Sequence, residues 1–151
     1  GDIVVFKDPG GWLNAAAEPE PTGLAKVGNE VLTFTGLLPE DAGEHLVKRV
    51  VGLPGDNVVC CDADGNIQVN GEPVIEPYLN AGVEPSAIDF DITVPPDYLW
   101  VMGDNRPFSA DSRYHMGEPG GGSIPLSNVV GTAFATVWPV GHWQGLGNPF
   151  Q

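Results

Sequence analysis

The chain has 151 residues, 20 of them acidic and 6 basic, for a formal net charge of −14 at neutral pH. Hydrophobic residues make up 42% of it, enough to bury the core of one ordinary domain with a small appendage, so general disorder is excluded. The charge excludes a nucleic-acid footprint and excludes adhesion to anionic lipid by electrostatics alone.

Glycine (21) and proline (15) are abundant, which predicts turns and short strands rather than long helices. No apolar run reaches the length of a membrane span, and no signal peptide opens the sequence. It begins directly on a strand, Asp2–Phe6, closed by the turn-like Asp8-Pro-Gly-Gly11. We read it as an excised fragment whose natural N-terminus lies further upstream. Residues 12–22, rich in Ala, Glu and Pro, read as a surface loop. Leu24, Val27, Val31, Phe34 and Leu38 then recur at three- and four-residue spacing, the pattern of one amphipathic helix, opposed by Gly28, Gly36 and several β-branched residues. Its polar face is not basic, so a packing helix fits better than a membrane-surface helix.

Leu46–Leu53 is β-prone, and Pro54-Gly55-Asp56 supplies a turn. Short strands follow at Asn57–Cys61, Asn66–Asn70 and Pro73–Ile75, the last two joined by the hairpin signal Asn70-Gly71. Cys60 and Cys61 are adjacent; strand neighbours point to opposite faces and a ring between them is strained, so a bridge is not assumed and their redox state stays open. Without further Cys or clustered His they make no zinc site, and no other metal or organic cofactor is implied. Residues 76–91 read as a loop ending in a short strand, and Asp91–Val94 and Tyr98–Met102 follow, split by Pro95-Pro96. Glu118–Ser123 reads as flexible, Val129–Trp138 as the last strand, and the tail from Gly141 has little pattern. The sum is an all-β, mainly antiparallel fold: a coiled sandwich or half-barrel core (1–56 and 92–140), a small hairpin extension (57–91) and a C-terminal tail (141–151).

Chemistry concentrates in Gly103-Asp-Asn-Arg-Pro-Phe-Ser-Ala-Asp-Ser-Arg113, directly after an apolar strand. That density of directed polar groups suits a buried network better than a solvated loop. Upstream, Lys48 lies inside the run Leu46, Val47, Val50, Val51. Either its stem packs while the ammonium reaches water, or it is buried and desolvation favours a neutral amine able to act as a general base.

With Gly1–Phe6, these segments (Lys-Arg-Val-Val-Gly-Leu-Pro-Gly-Asp, 48–56, and Gly103–Arg113) stand in the order found in type I signal peptidases, which the chain resembles over most of its length. The resemblance implies a membrane-anchored serine endopeptidase with a serine–lysine dyad, cutting signal peptides of exported preproteins after small-x-small motifs on the extracytoplasmic face. Lys48 matches the general base and Ser109 the serine that aims it. Arg49 with Asp104 matches a structural ion pair, and Asp111 with Arg113 a second; Asn105 and Arg106 serve the turn and the network. The substrate would lie as an extended strand beside His45, Leu46 and Val47, with Val5 and Val47 lining pockets for small side chains.

The family's nucleophilic serine lies in a Ser-Met-x-Pro-like segment before the first strand, whereas no serine here precedes Ser86. The nucleophile and the membrane anchor are therefore expected outside the chain, which is expected to be inactive alone. His45 and His115 read as surface residues rather than catalytic groups. The insertion between Phe6 and Lys48 is long for the family and the side extension short. Trp138, Trp143 and Phe150 sit either at a membrane interface or in the core. Two other readings compete: a non-catalytic module that holds signal peptides, and a self-cleaving SOS-repressor-like Ser/Lys peptidase. An upstream membrane span or an upstream helix-turn-helix would separate the two peptidases.

Overall fold

A computed structural model describes residues 1–13, 45–136 and 144–149. The expected helix at 24–38 and Trp138, Trp143 and Phe150 lie outside the described residues. Five strands form the larger sheet: β1 (Ile3–Lys7), β2 (His45–Gly52), β7 (Tyr98–Met102), β8 (Ile124–Pro125) and β9 (Val129–Ala133), in the order β8-β7-β2-β1-β9. Between β2 and β7 the chain builds a second sheet from β3 (Asn57–Cys60), β4 (Gln68–Val69), β5 (Glu72–Pro73) and β6 (Phe90–Thr93), ordered β5-β4-β3-β6. A short ribbon pairs β10 (Ala135–Thr136) with β11 (Gln144–Gly145). Every one of these pairings is antiparallel. Helix among the described residues is confined to single 3-10 turns at Arg106–Phe108, Ser112–Tyr114 and Leu126–Asn128. The molecule is thus the all-β fold its composition predicts.

The period-two alternation of β2 and β7 explains the layering. Val50, Leu99 and Val101 point to one face, where Val4, Phe6, Trp12 and Ile124 complete a cluster. Val51, Trp100 and Met102 point to the other, packing on Val58, Cys60, Ile67, Phe90 and Val94 from the second sheet and its connections. The end of β2 is buried on both faces, as its unbroken Val-Val-Gly run requires. At the following turn, Asp56 closes the chain by accepting the Leu53 N–H through its carboxylate at 2.8 Å.

Several details go beyond the sequence reading or differ from it. Cys60 and Cys61, whose pairing the sequence left open, are joined by a disulfide, with their Cα atoms 3.0 Å apart. The strand expected at Val129–Trp138 breaks after Ala133 and resumes as β10, and 137–138 lie outside the described residues. β8 was not visible in the pattern because it is two residues long and ends in Pro125, a residue confined to sheet edges. Glu118–Ser123 is not a loose loop but consecutive hydrogen-bonded turns, Gly121 N to Glu118 O at 2.9 Å and Ser123 N to Gly120 O at 3.0 Å. Asn70-Gly71 does form the tight β4–β5 hairpin, both residues having positive φ.

Gly52, at the end of β2, faces Val58 and Val94 across the packing of the two sheets. A Cβ there would lie 2.6 Å from Val58 Cγ2 and 2.9 Å from Val94 Cγ2. Gly52→Ala is expected to lower stability by about 1–3 kcal/mol, the usual result of overpacking, read from urea unfolding; an unchanged midpoint would show that the sheets can separate at no cost.

Candidate active site

In β2 the adjacent Lys48 and Arg49 point to opposite faces. Lys48 is opposed in register by Val4, and Arg49 by Ile3 on one side and Met102 on the other. β7 ends at Met102, so the chain leaves the sheet at Gly103, immediately beside the lysine. A Cβ on Gly103 would stand 2.1 Å from Ser109 Oγ, 2.5 Å from Ser109 Cβ and 3.7 Å from Lys48 Cδ. The missing side chain is therefore the space into which the loop folds Ser109. There Lys48 Nζ donates a hydrogen bond to Ser109 Oγ at 2.8 Å.

The loop is held by Asp111, which is wholly buried. Its carboxylate accepts from Gly103 N at 2.9 Å and from Arg113 Nε and Nη2, both at 2.8 Å. Arg113 Nη2 also donates to the Arg106 carbonyl at 2.8 Å, and buried Ser112 Oγ accepts from Val101 N at 2.9 Å. These contacts use most of the donors and acceptors that burial would otherwise leave unpaired. Burial pushes the Lys48 ammonium below the ordinary lysine pKa; the charge of Asp111 opposes that shift and that of Arg113 reinforces it.

On the opposite face Arg49 forks onto Asp104, Nε to Oδ1 at 2.8 Å and Nη2 to Oδ2 at 2.7 Å, and its guanidinium lies 3.9 Å from the centre of the Tyr78 ring. The structure therefore brings Lys48 to Ser109, Arg49 to Asp104 and Asp111 to Arg113. It adds residues the sequence did not single out. Glu76 and Tyr78 reach the site from the loop after β5, and Arg106 pairs with Glu76. An arginine in a polar loop demands a carboxylate, but with 20 acids in the chain nothing local says which.

His115 is not a surface residue: its side chain is 12% exposed and stacks on Trp12 at 4.4 Å, 7° from parallel. Both rings are tied to Glu118, His115 Nδ1 at 2.7 Å and Trp12 Nε1 at 3.2 Å. Trp12, Phe108, Ser109, Tyr114 and His115 line an open cleft of about 340 Å³.

The four residues expected to meet a substrate divide. Val5 and Val47 oppose each other in register on the face away from Lys48, Val47 being exposed. Leu46 packs against the cluster of Val4, Phe6 and Trp12, and His45 is half-buried. β1 covers one flank of 45–48, while pairing with β7 starts only at Arg49; among the described residues no strand covers the other flank. Nor, among the described residues, does any group of His, Cys, Asp and Glu assemble to hold a metal ion. What the arrangement offers is a lysine biased toward the neutral amine and aimed by a hydroxyl, the requirement for taking a proton from an alcohol.

The family described as signal peptidase, peptidase S26, matches residues 1–138. A probable signal peptidase I of Mycobacterium leprae is 39% identical, over 98% of this chain and 58% of its own. Signal peptidase I of Mycobacterium tuberculosis is 38% identical, over 95% of this chain and 53% of its own. The chain thus spans somewhat more than half the length of these relatives. The crystal structure of a signal peptidase I from Enterococcus faecalis has the same fold, with a TM-score of 0.53 at 24% identity over 87% of this chain and 92% of that one.

The electrostatics of Lys48 has a consequence for stability. Its folded pKa lies below its unfolded one, so between the two values the unfolded chain binds more protons and stability rises with pH. Relative to Lys48→Met, the parent should gain stability from the depressed folded pKa up to about 10.4, the ordinary lysine value. Parallel denaturation curves for the two proteins at every pH would show that Lys48 titrates normally.

Proposed function

The chain belongs to the signal peptidase (peptidase S26) family, and from that premise we propose that it carries the general-base half of a serine–lysine endopeptidase. The observation that supports this most directly is the 2.8 Å contact between Lys48 Nζ and Ser109 Oγ in a partly desolvated setting. In this reading neutral Lys48 takes the proton of the attacking serine hydroxyl and returns it to the leaving amine. Ser109 fixes the amine's aim. Arg49–Asp104 and Asp111–Arg113 brace the strand and the loop that present the two.

Residues 1–151 contain no Ser-Met-x-Pro segment and no serine before Ser86. We assign the nucleophile and the donors that stabilise the oxyanion to a segment outside these residues. The substrate is a signal peptide of an exported preprotein, laid along the uncovered flank of His45–Lys48 by strand addition. Val5 and Val47 offer it a shallow apolar surface suited to small side chains, which fits cleavage after small-x-small motifs. The catalytic core is assigned to 1–56 and 92–140, with 57–91 a side extension and 141–151 a tail. A membrane anchor outside these residues would hold the core at the extracytoplasmic surface; no helix among the described residues is long and apolar enough to cross a membrane.

The test is cleavage of a preprotein by the longer protein that includes the upstream segment. Lys48→Ala should lower the rate by about 10²–10⁴, the contribution of a positioned base. Ser109→Ala should lower it by roughly 10–100-fold, the worth of one hydrogen bond to a charged or reacting group. The rate should rise with pH through the Lys48 pKa, because the neutral amine is the active form. Residues 1–151 alone should show no turnover; cleavage by them that disappears in Ser109→Ala would make Ser109 the nucleophile and overturn the assignment.

A further inference from the structure

We propose that Glu76 and Tyr78 are positioning residues for the Lys48–Ser109 pair, acting through Arg106 and Arg49 to lock the second sheet onto the active loop. The proposal rests on the reading of Lys48 as the base, but its first readout does not depend on catalysis.

The contacts form one continuous set. Arg106 is almost fully buried, and so is the Glu76 side chain, 3% exposed. The Arg106 guanidinium is satisfied on every side: Nε donates to Gly103 O at 3.1 Å, Nη1 to Glu76 Oε2 at 3.0 Å and to Pro85 O at 2.6 Å, and Nη2 to Glu76 Oε1. Its own carbonyl receives Arg113 Nη2. Tyr78 Oη donates to Glu76 Oε1 at 2.5 Å, while the face of the same ring carries the Arg49 guanidinium.

One carboxylate thus governs two paths. Through Arg106 it reaches Gly103, the residue against which Ser109 packs. Through Tyr78 it reaches Arg49, the neighbour of Lys48 on β2. Glu76 and Tyr78 belong to the loop between β5 and β6, so the second sheet fixes the hydroxyl and the amine from both sides. A merely structural clamp would need neither the planar fork of arginine nor a tyrosine hydroxyl aimed at the same carboxylate; two apolar side chains of similar volume would close the interface as well.

The test is the titration of Lys48 in residues 1–151, read by NMR of lysine side chains labelled at Cε; lysine occurs only at 7, 26 and 48, so the resonances are few. In Glu76→Gln the loop should relax and water should reach the amine, moving the Lys48 pKa up toward the ordinary value by about half a unit or more. The other charges facing Lys48, Asp111 and Arg113, remain in place. If Glu76 acted only by its charge, the loss would leave Arg106 unpaired and move Lys48 down instead. An unchanged or lowered Lys48 pKa in a folded Glu76→Gln protein therefore overturns the proposal. Tyr78→Phe, which keeps the ring on Arg49 and removes only the hydroxyl, should give a smaller upward shift. It decides the matter should Glu76→Gln not fold. In the longer protein, Glu76→Gln should lower kcat by roughly 10–100-fold with KM nearly unchanged, and Glu76→Asp should recover part of it. A Lys48 shift in Glu76→Gln combined with full activity of Lys48→Ala would leave the positioning intact and refute the role of Lys48 as base.

Discussion

The carboxylate of Asp111 is the point on which the site closes. It is excluded from solvent, yet it takes the backbone N–H of Gly103 and the fork of Arg113, so a loop of eleven residues is tied at its first and last positions. Ser109 is carried between those ties and is pressed into the space left by the side chain that Gly103 lacks. The same carboxylate sets a limit on the lysine. Desolvation drives Lys48 toward the neutral form, and the negative charge of Asp111 pulls it back. Arg113, bound to that carboxylate, opposes the pull.

The second constraint is the pleat of β2. Because successive side chains alternate, the Lys48-Arg49 pair delivers one cation to the Ser109 side and the other to the Asp104 and Tyr78 side. Exchanging the two residues would put a permanently charged guanidinium against the hydroxyl, where no base chemistry is available to it. A one-residue slip of register would have the same effect on the whole strand. Gly52 opposes that slip, because any side chain moved into its place would meet Val58 and Val94 at 2.6 and 2.9 Å.

How much of this was legible in the sequence depended on how local its cause was. β1, β2, β7 and the Asn70-Gly71 hairpin were readable because alternation and turn chemistry are written within a few residues. The dense polar loop announced a buried network, and the resemblance gave its pairs. What could not be read were contacts chosen by tertiary packing. Arg106 and Glu76 are 30 residues apart and meet only because two sheets pack together. His115 looked solvated because its stacking partner, Trp12, lies 103 residues away in the sequence. The Cys60–Cys61 bridge settles a pairing that the sequence left open.

The distribution of positive charge ties these observations together. The chain has three arginines, Arg49, Arg106 and Arg113, and all three are buried at this one site despite a surface of large acidic excess. Each is met by its own carboxylate: Asp104, Glu76 and Asp111. The Arg106–Glu76 and Arg113–Asp111 pairs are buried on both sides, whereas Asp104 is 41% exposed; buried pairs contribute little net stability, since desolvation offsets most of the attraction, which points to geometry as what they supply. Lys48 lies among them and is met instead by a neutral hydroxyl. Arginine cannot release its proton in a protein, whereas lysine can. The pairing thus leaves, within a cluster of four cations, one whose charge no carboxylate touches among the described contacts and whose chemistry permits its loss. With each arginine paired to a carboxylate and unable to release its proton, Lys48 is the one of the four cations whose protonation its surroundings can alter.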